Sequence, residues 1–376
     1  MNDPERVKTV EQTILRANGE YDCLRAWLKA HRVHKVFLVC DSAFRYLKIS
    51  RFLEEQRDFQ IVRFDHIQPN PVYECVEEGV ALFRKERCDV ILAVGGGSPM
   101  DVAKCIKLYA EMDPGVCYLK QAIVPNVIPL IAMPTTAGTG SEATRYAVIY
   151  YEGEKQSIAD VSCIPSVVVM DPTVLETLPD YQRKSTMLDA FCHAVESWWS
   201  VHADETSRAL SAAAIRQWMS SREAYLANTS EGNEGMLQAA HLAGQAINLT
   251  QTTAGHAMAY KLTSLYGVAH GHAAALCVRR LWPWMIGHTD RCIDPRGRAA
   301  LDETFLVLAH VMGCDGARQA AELFNAWFEA LELLVPALRE EQLPLLCRSV
   351  NPVRLKNNPV SLEGETENLY RQILKG

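Results

Sequence analysis

Between Asp89 and Asp101 an apolar stretch, Asp89-Val90-Ile91-Leu92-Ala93-Val94, runs straight into Gly95-Gly96-Gly97-Ser98-Pro99-Met100-Asp101. A run without polar alternation predicts a strand buried on both faces, the situation of a parallel sheet. The glycines then give way to a helix start. Ser98 suits the N-cap, Pro99 suits the first helical position because its missing N–H would be unpaired anyway, and Asp101 sits where a capping-box acid belongs. Strand, glycine turn and helix together commit this half of the chain to α/β architecture. Two readings of the turn stand side by side. Gly95, Gly96, Gly97 and Ser98 let the backbone approach a phosphate with helix N-terminal N–H groups aimed at it, or they make only a tight, well-capped turn. Asp101 belongs to this loop as a backbone cap, since a carboxylate and a phosphate repel.

The flanking segments extend the pattern. Val36–Val39 predicts a buried strand closing on Cys40-Asp41-Ser42, Ile61–Phe64 a second strand, and Gln68-Pro69-Asn70-Pro71 a turn. Val72, Val76, Val80 and Phe83 have helical spacing over residues 72–85. Val127–Pro134 predicts a further buried strand, followed by the hydroxyl-rich Thr135-Thr136-Ala137-Gly138-Thr139-Gly140-Ser141-Glu142. Residues 147–151 and 155–158 flank Glu152-Gly153 as a hairpin laid against the parallel sheet. Val167–Pro172 closes the strand-rich half. Beyond Leu178-Pro179-Asp180, alanine and leucine at helical spacing dominate, as in residues 208–215, and strand-like runs vanish. The expectation is an α/β domain over residues 1–180, a Rossmann-like parallel sheet, and an all-α domain over 181–376.

With 376 residues and 48% apolar content, there is ample material for two packed cores. A net charge of -7 argues against an electrostatic nucleic-acid binder. Met1–Arg6 has no signal-peptide character and no run suffices to span a bilayer, which predicts a cytoplasmic protein without a membrane partner. Twelve dispersed cysteines without any Cys-x-x-Cys pair predict free thiols rather than disulfides or a cysteine zinc site.

In the helical half, Asp189 and His193 stand four residues apart, so their carboxylate and imidazole leave one helix face about one turn apart. His256 and His270 are candidates to complete a pocket of three imidazoles and one carboxylate. Each taken alone also reads as a hydrogen-bonded core residue.

Taken together, Gly95–Asp101, Pro134–Glu142, Asp189 with His193, His256 and His270-Gly271 resemble the iron-dependent (group III) alcohol dehydrogenases over nearly the whole chain. That resemblance implies a metal-dependent dehydrogenase or aldehyde reductase with a nicotinamide dinucleotide in the N-terminal domain. Asp189, His193, His256 and His270 match the family's metal ligands, for Fe²⁺ with Zn²⁺ as the alternative. The pyrophosphate would lie on Gly95 to Ser98. Thr135, Thr136 and Thr139 match hydroxyls near the cofactor, Lys155 lines the nucleotide cleft, and Asn70 is assigned to the same side. Asp41 matches an acidic position that holds a ribose hydroxyl. A carboxylate there repels a 2′-phosphate, so NAD(H) is favoured over NADP(H). A homodimer is the family expectation.

One position departs from the pattern. The family commonly carries a histidine four residues after the one at His256, and here that position is Tyr260. Tyr260 relays a proton through its hydroxyl, His272 supplies the imidazole instead, or Tyr260 merely shapes the pocket. Arg145 is an unusual charge beside an alcohol pocket, and it either forks onto a phosphonate or carboxylate or pairs with Glu142 or Glu196. Residues 140–145 and 254–262 resemble a subgroup of phosphonoacetaldehyde reductases. The expected reaction is reduction of phosphonoacetaldehyde to 2-hydroxyethylphosphonate, with Arg145, then Lys261, as anion contacts. Rivals are a general short-chain alcohol or polyol dehydrogenase and, more distantly, a non-catalytic nucleotide-binding scaffold.

Overall fold

The computed structural model describes residues 11–375, so the Met1–Arg6 segment lies outside the described residues. By contacts the chain divides into two units: one runs through Thr136 and resumes at Gly140–Leu178, the other comprises Ala137–Thr139 and everything from Pro179.

The first unit is built on a parallel sheet. Its strands are β1 (Thr13–Arg16), β2 (Lys35–Cys40), β3 (Gln60–Phe64), β4 (Val90–Gly95), β5 (Leu130–Pro134) and, after the hairpin β6 (Tyr146–Tyr151) and β7 (Glu154–Ala159), β8 (Val167–Met170). The sheet order is β1-β8-β5-β4-β2-β3 with every neighbouring pair parallel. Every residue of β4 and β5 is buried, which is why these strands read as unbroken apolar runs. Helices α1 (Asp22–Ala30), α2 (Lys48–Glu55), α3 (Tyr73–Glu86) and α4 (Gly97–Tyr109) connect the strands. Val76, Val80 and Phe83 of α3 and Val102 and Ile106 of α4 share one core with Phe37, Ile91 and Ala132 of the sheet.

The hairpin forms its own two-stranded antiparallel sheet. It joins the rest through α4 rather than by pairing with the parallel strands: Ala147, Ile149 and Ile158 enter the same core, and Val148 N donates to Asp101 Oδ2 at 3.0 Å.

The second unit is helical: α5 (Asp180–Trp199), α6 (Glu205–Leu226), α7 (Ser230–Thr250), α8 (Ala254–Tyr266), α9 (His270–Gly287), α10 (Arg298–Val311), α11 (Ala317–Ala330), and the short α12 (Leu343–Ser349), α13 (Pro352–Leu355) and α14 (Thr366–Ile373). Helix α5 is the axis of this unit, buried almost all round from Met187 to Trp199. Phe191 stacks on Phe324 at 5.0 Å, and Trp199 meets Trp282 edge-on at 5.3 Å. The indoles of Trp218 and Trp199 find acceptors, Trp218 Nε1 on Met187 O at 2.7 Å and Trp199 Nε1 on Thr253 Oγ1 at 3.0 Å, so burying these two strands neither donor. All twelve cysteines are free thiols. Among the described residues no helix is long and apolar enough to cross a membrane.

Candidate metal and cofactor sites

In the first unit, adjacent parallel strands bring three predicted segments to one end of the sheet. Cys40 pairs with Val94 and Gly95 with Pro134, so Asp41, Gly95–Gly97 and Thr135-Thr136 leave the carboxyl ends of β2, β4 and β5 side by side. Open α/β sheets take their ligands at this edge. Thr135 N donates to Gly95 O at 3.0 Å, tying the two loops together.

The helix start differs from the sequence expectation. Helix α4 begins at Gly97, its N-cap is Gly96 in extended conformation, and no side chain caps it. Ser98 and Pro99 therefore occupy the first turn, where free N–H groups remain available and proline has none to lose. Nor is Asp101 a capping acid. It is half-buried and accepts from Ser141 Oγ and Val148 N, both at 3.0 Å. One turn on, the buried Lys104 Nζ donates to Ser141 Oγ at 3.0 Å, Thr144 Oγ1 at 3.1 Å and Tyr146 O at 2.7 Å. Burial pushes the Asp101 carboxyl up and the Lys104 ammonium down, against their mutual attraction. Together they clamp the 141–148 segment onto α4, a role for Lys104 that the sequence does not announce.

Asp41 accepts from Ala43 N at 2.9 Å and so starts a short turn after β2. Asn70 has a left-handed backbone, φ 59°, in a turn pinned to the hairpin by Tyr150 N donating to Pro71 O at 2.8 Å. Lys155 lies on β7 opposite Tyr150, where its charge favours the ionised form of Asp101. Arg145 turns Nε and a terminal nitrogen onto Tyr146 Oη at 3.2 and 3.0 Å. Thr139 belongs by contacts to the second unit.

In the second unit the ligating atoms of Asp189, His256 and His270 all lie within 4.8 Å of one another. Asp189 Oδ1 is 3.4 Å from His256 Nε2 and 4.0 Å from His270 Nε2. The His193 ring stacks on His256 at 4.4 Å, and its Nδ1 donates to Gly138 O at 3.3 Å. Two close approaches set this geometry. A Cβ at Gly271 would stand 2.2 Å from Ser185 O and 2.6 Å from Asp189 Cβ, and one at Gly138 would stand 2.6 Å from Thr186 O. Glycine at these positions lets the start of α9 and the 137–139 loop touch α5 directly.

Glu196, which the sequence offered only as a pairing partner for Arg145, stands seven residues after Asp189 on the same face of α5. Fully buried, it contacts His256 Nδ1 through Oε2, while Oε1 accepts from Thr253 Oγ1 at 2.6 Å, Thr253 N at 3.1 Å and His256 N at 3.2 Å. With Nδ1 of His193 and of His256 committed to acceptors, Nε2 is the nitrogen each can offer an ion, in His256 only once its second proton has left. Burial opposes ionisation of Asp189, but His193, His256 and His270 outweigh it and hold the carboxyl well below the usual range. Burial likewise disfavours the His256 cation, but Glu196 and Asp189 push its pKa up to about 10. Burial lowers His193. Imidazole lone pairs beside a carboxylate are the donor set for Fe²⁺ or Zn²⁺, so the residues present fit a divalent ion.

Tyr260, one turn beyond His256, lies parallel to the His270 ring at 5.4 Å. Lys261 leaves the helix about 140° away from His256, on another face. His272 does not join the cluster. Two residues past His270, it is rotated by about 200° around α9. There it is buried, with Nδ1 on Tyr181 Oη at 3.1 Å and its ring against Phe328. Burial and Arg279 push its pKa down to about 4.

Two family models match the chain. Residues 12–172 match the model for iron-containing alcohol dehydrogenase, and residues 184–342 match the C-terminal model of the same family. The chain is 36% identical over 254 residues to the 1,3-propanediol dehydrogenase of Klebsiella pneumoniae, covering 64% of this chain and 65% of that protein. It is 30% identical over 302 residues to the choline dehydrogenase of Bacillus subtilis, covering 76% and 72%. The sulfoacetaldehyde reductase of Bifidobacterium kashiwanohense, solved in complex with NAD+, superposes with a TM-score of 0.85 at 26% identity over 97% of each chain. The chain belongs to the iron-containing alcohol dehydrogenase family.

Proposed function

We propose that this chain reduces a small aldehyde to its alcohol with NADH and a divalent metal, and that the aldehyde is phosphonoacetaldehyde. The observation carrying the reaction class is the Asp189–His256–His270 cluster, buried at Asp189 and His256 and backed by Glu196. When bound, the ion supplies Lewis acidity toward the carbonyl and the dinucleotide supplies the hydride. Asp189, His193, His256 and His270 hold the ion. Gly95 to Ser98 receive the pyrophosphate at the N-terminus of α4, with Asp41, Asn70, Thr135, Thr136, Thr139 and Lys155 around the rest of the dinucleotide and Asp101 bracing the loop. The carbonyl carbon gains hydride and its oxygen gains a proton, for which Tyr260 is the candidate donor. Asp41 favours NAD(H) over NADP(H), Fe²⁺ is preferred to Zn²⁺, and a cytoplasmic homodimer completes the reading.

Support for an anionic aldehyde comes from the likeness to a sulfoacetaldehyde reductase, with Arg145 and then Lys261 as the sequence-derived anion contacts. Kinship with a propanediol dehydrogenase favours a second reading, a short-chain alcohol or polyol dehydrogenase. Oxidation of NADH and NADPH by metal-defined protein with phosphonoacetaldehyde, butanal and lactaldehyde tests the assignment. The highest kcat/KM is expected for phosphonoacetaldehyde with NADH. Preference for butanal or lactaldehyde refutes the substrate, and absence of turnover with any aldehyde refutes the enzyme.

A further inference from the structure

Arg354 lies on the short helix α13 near the C-terminus, where the sequence carries no motif. Its guanidinium sits 5.1 Å from the centroid of the Tyr260 ring, and Tyr260 in turn lies parallel to His270 at 5.4 Å. The guanidinium is therefore within two ring-stacking distances of a residue of the metal cluster. One terminal nitrogen donates to Thr252 Oγ1 at 2.9 Å. The support is itself fixed: Asn357 Nδ2 bridges Gln251 Oε1 at 3.1 Å and Thr252 O at 3.4 Å, and His202 Nε2 meets Asn357 Oδ1 at 3.0 Å. Among the described residues Arg354 forms no ion pair, and Thr252 is the only hydrogen-bond partner of its side chain. Of the five N–H donors of a guanidinium, most are thus left for a ligand. Elsewhere in this unit Arg296 pairs with Asp294 at 2.7 Å and Arg371 with Glu340 and Glu367, whereas Arg208, like Arg354, donates to a threonine hydroxyl.

A half-buried cation with spare donors, held rigid beside an aromatic wall and a ligating histidine, is a receptor for a tetrahedral oxyanion. We propose that Arg354 binds the phosphonate or sulfonate tail of a two-carbon aldehyde whose carbonyl end is held at Asp189, His256 and His270. This rests on the anionic-aldehyde reading above and adds to it a cation next to the metal cluster.

The test is a specificity ratio: kcat/KM for phosphonoacetaldehyde, and separately for sulfoacetaldehyde, divided by kcat/KM for propanal, on metal-loaded enzyme with NADH. Arg354→Gln is expected to lower both ratios by roughly 10- to 100-fold, mostly through KM, as for loss of a charge-assisted contact. Arg354→Lys is expected to recover part of the loss, since it keeps the charge without the fork. Should the glutamine variant fail to fold, Arg354→Met keeps the stem against Tyr260 and reads the same ratios. Unchanged ratios, or an equal loss on charged and neutral aldehydes, overturn the proposal. If wild type itself shows no preference for the charged aldehydes, the substrate assignment falls first and this inference with it. That failure is read on wild type alone and is distinct from a preference that survives Arg354→Gln.

Discussion

Replacing Glu196 by glutamine isolates what one buried carboxylate does for His256. Oε1 of Glu196 accepts three hydrogen bonds, from Thr253 N, Thr253 Oγ1 and His256 N, and glutamine keeps an oxygen for them. Alanine would strand all three donors at on the order of 1–3 kcal/mol each, so glutamine is the informative change. Its NH2 group then faces His256 Nδ1, and two donors cannot share that contact. Once singly protonated, the His256 ring resolves the conflict by keeping its proton on Nε2, the atom that faces Asp189 at 3.4 Å. The lone pair needed by a metal is thereby withdrawn. Loss of such a carboxylate–histidine contact costs roughly 10- to 100-fold in metal affinity, about 1.4–2.7 kcal/mol. The pH dependence supplies a second signature. In the metal-free protein His256 holds its proton up to about 10, and a metal must displace it. Wild-type affinity therefore climbs by about tenfold per pH unit through the neutral and mildly alkaline range, with one proton released per ion. For the metal-free fold the sign is opposite. The raised pKa stabilises below the unfolded value of 6.5, and that contribution is lost as pH rises toward 10. Chelator-buffered Zn²⁺ titrations of apo protein from neutral pH to about pH 9 measure affinity and slope together. Glu196→Gln should show weaker binding at the alkaline end and a flattened slope. Wild-type affinity and slope at every pH would refute the tautomer argument.

Tyr260→Phe removes the hydroxyl while keeping the ring stacked on His270; if Tyr260 relays the proton, turnover drops by roughly 100-fold or more with metal content unchanged, whereas near-normal turnover assigns Tyr260 to shaping the pocket. Gly271→Ala drives a methyl group into the Ser185 carbonyl and the Asp189 side chain, neither of which has room to yield. A loss of roughly 1–3 kcal/mol in denaturant unfolding is expected, together with reduced metal content as His270 is pushed from Asp189. A stable, fully metallated alanine variant would show that the two helices have slack.

Legibility in the sequence followed burial. Strands β4 and β5 are readable because both faces are covered, whereas β1, mostly exposed along Thr13–Arg16, carries neither alternation nor an apolar run and escapes notice. Asp189 and His193 stand out by helical spacing, and Glu196 shares that face. Its function depends on Thr253 and His256, which are distant in sequence, so spacing alone does not declare it. The cap at Ser98 fails for a local reason: an extended Gly96 caps α4 and starts it at Gly97 without needing a side chain. Arg354 is silent because it lies on the four-residue α13, where no periodicity exists to mark a face.

The three residues Ala137–Thr139 count with the helices although the chain on both sides of them belongs to the sheet. Neither unit is therefore one continuous length of polypeptide. A helical fragment cut at Leu178 would lack the Gly138 carbonyl that fixes the His193 tautomer. Chimaeras of two relatives joined at a single junction between Thr139 and Asp180 would mate one parent's 137–139 loop with the other parent's α5, at a contact too close for a methyl group. Recombination within this family should therefore succeed only where loop and helix descend from the same parent.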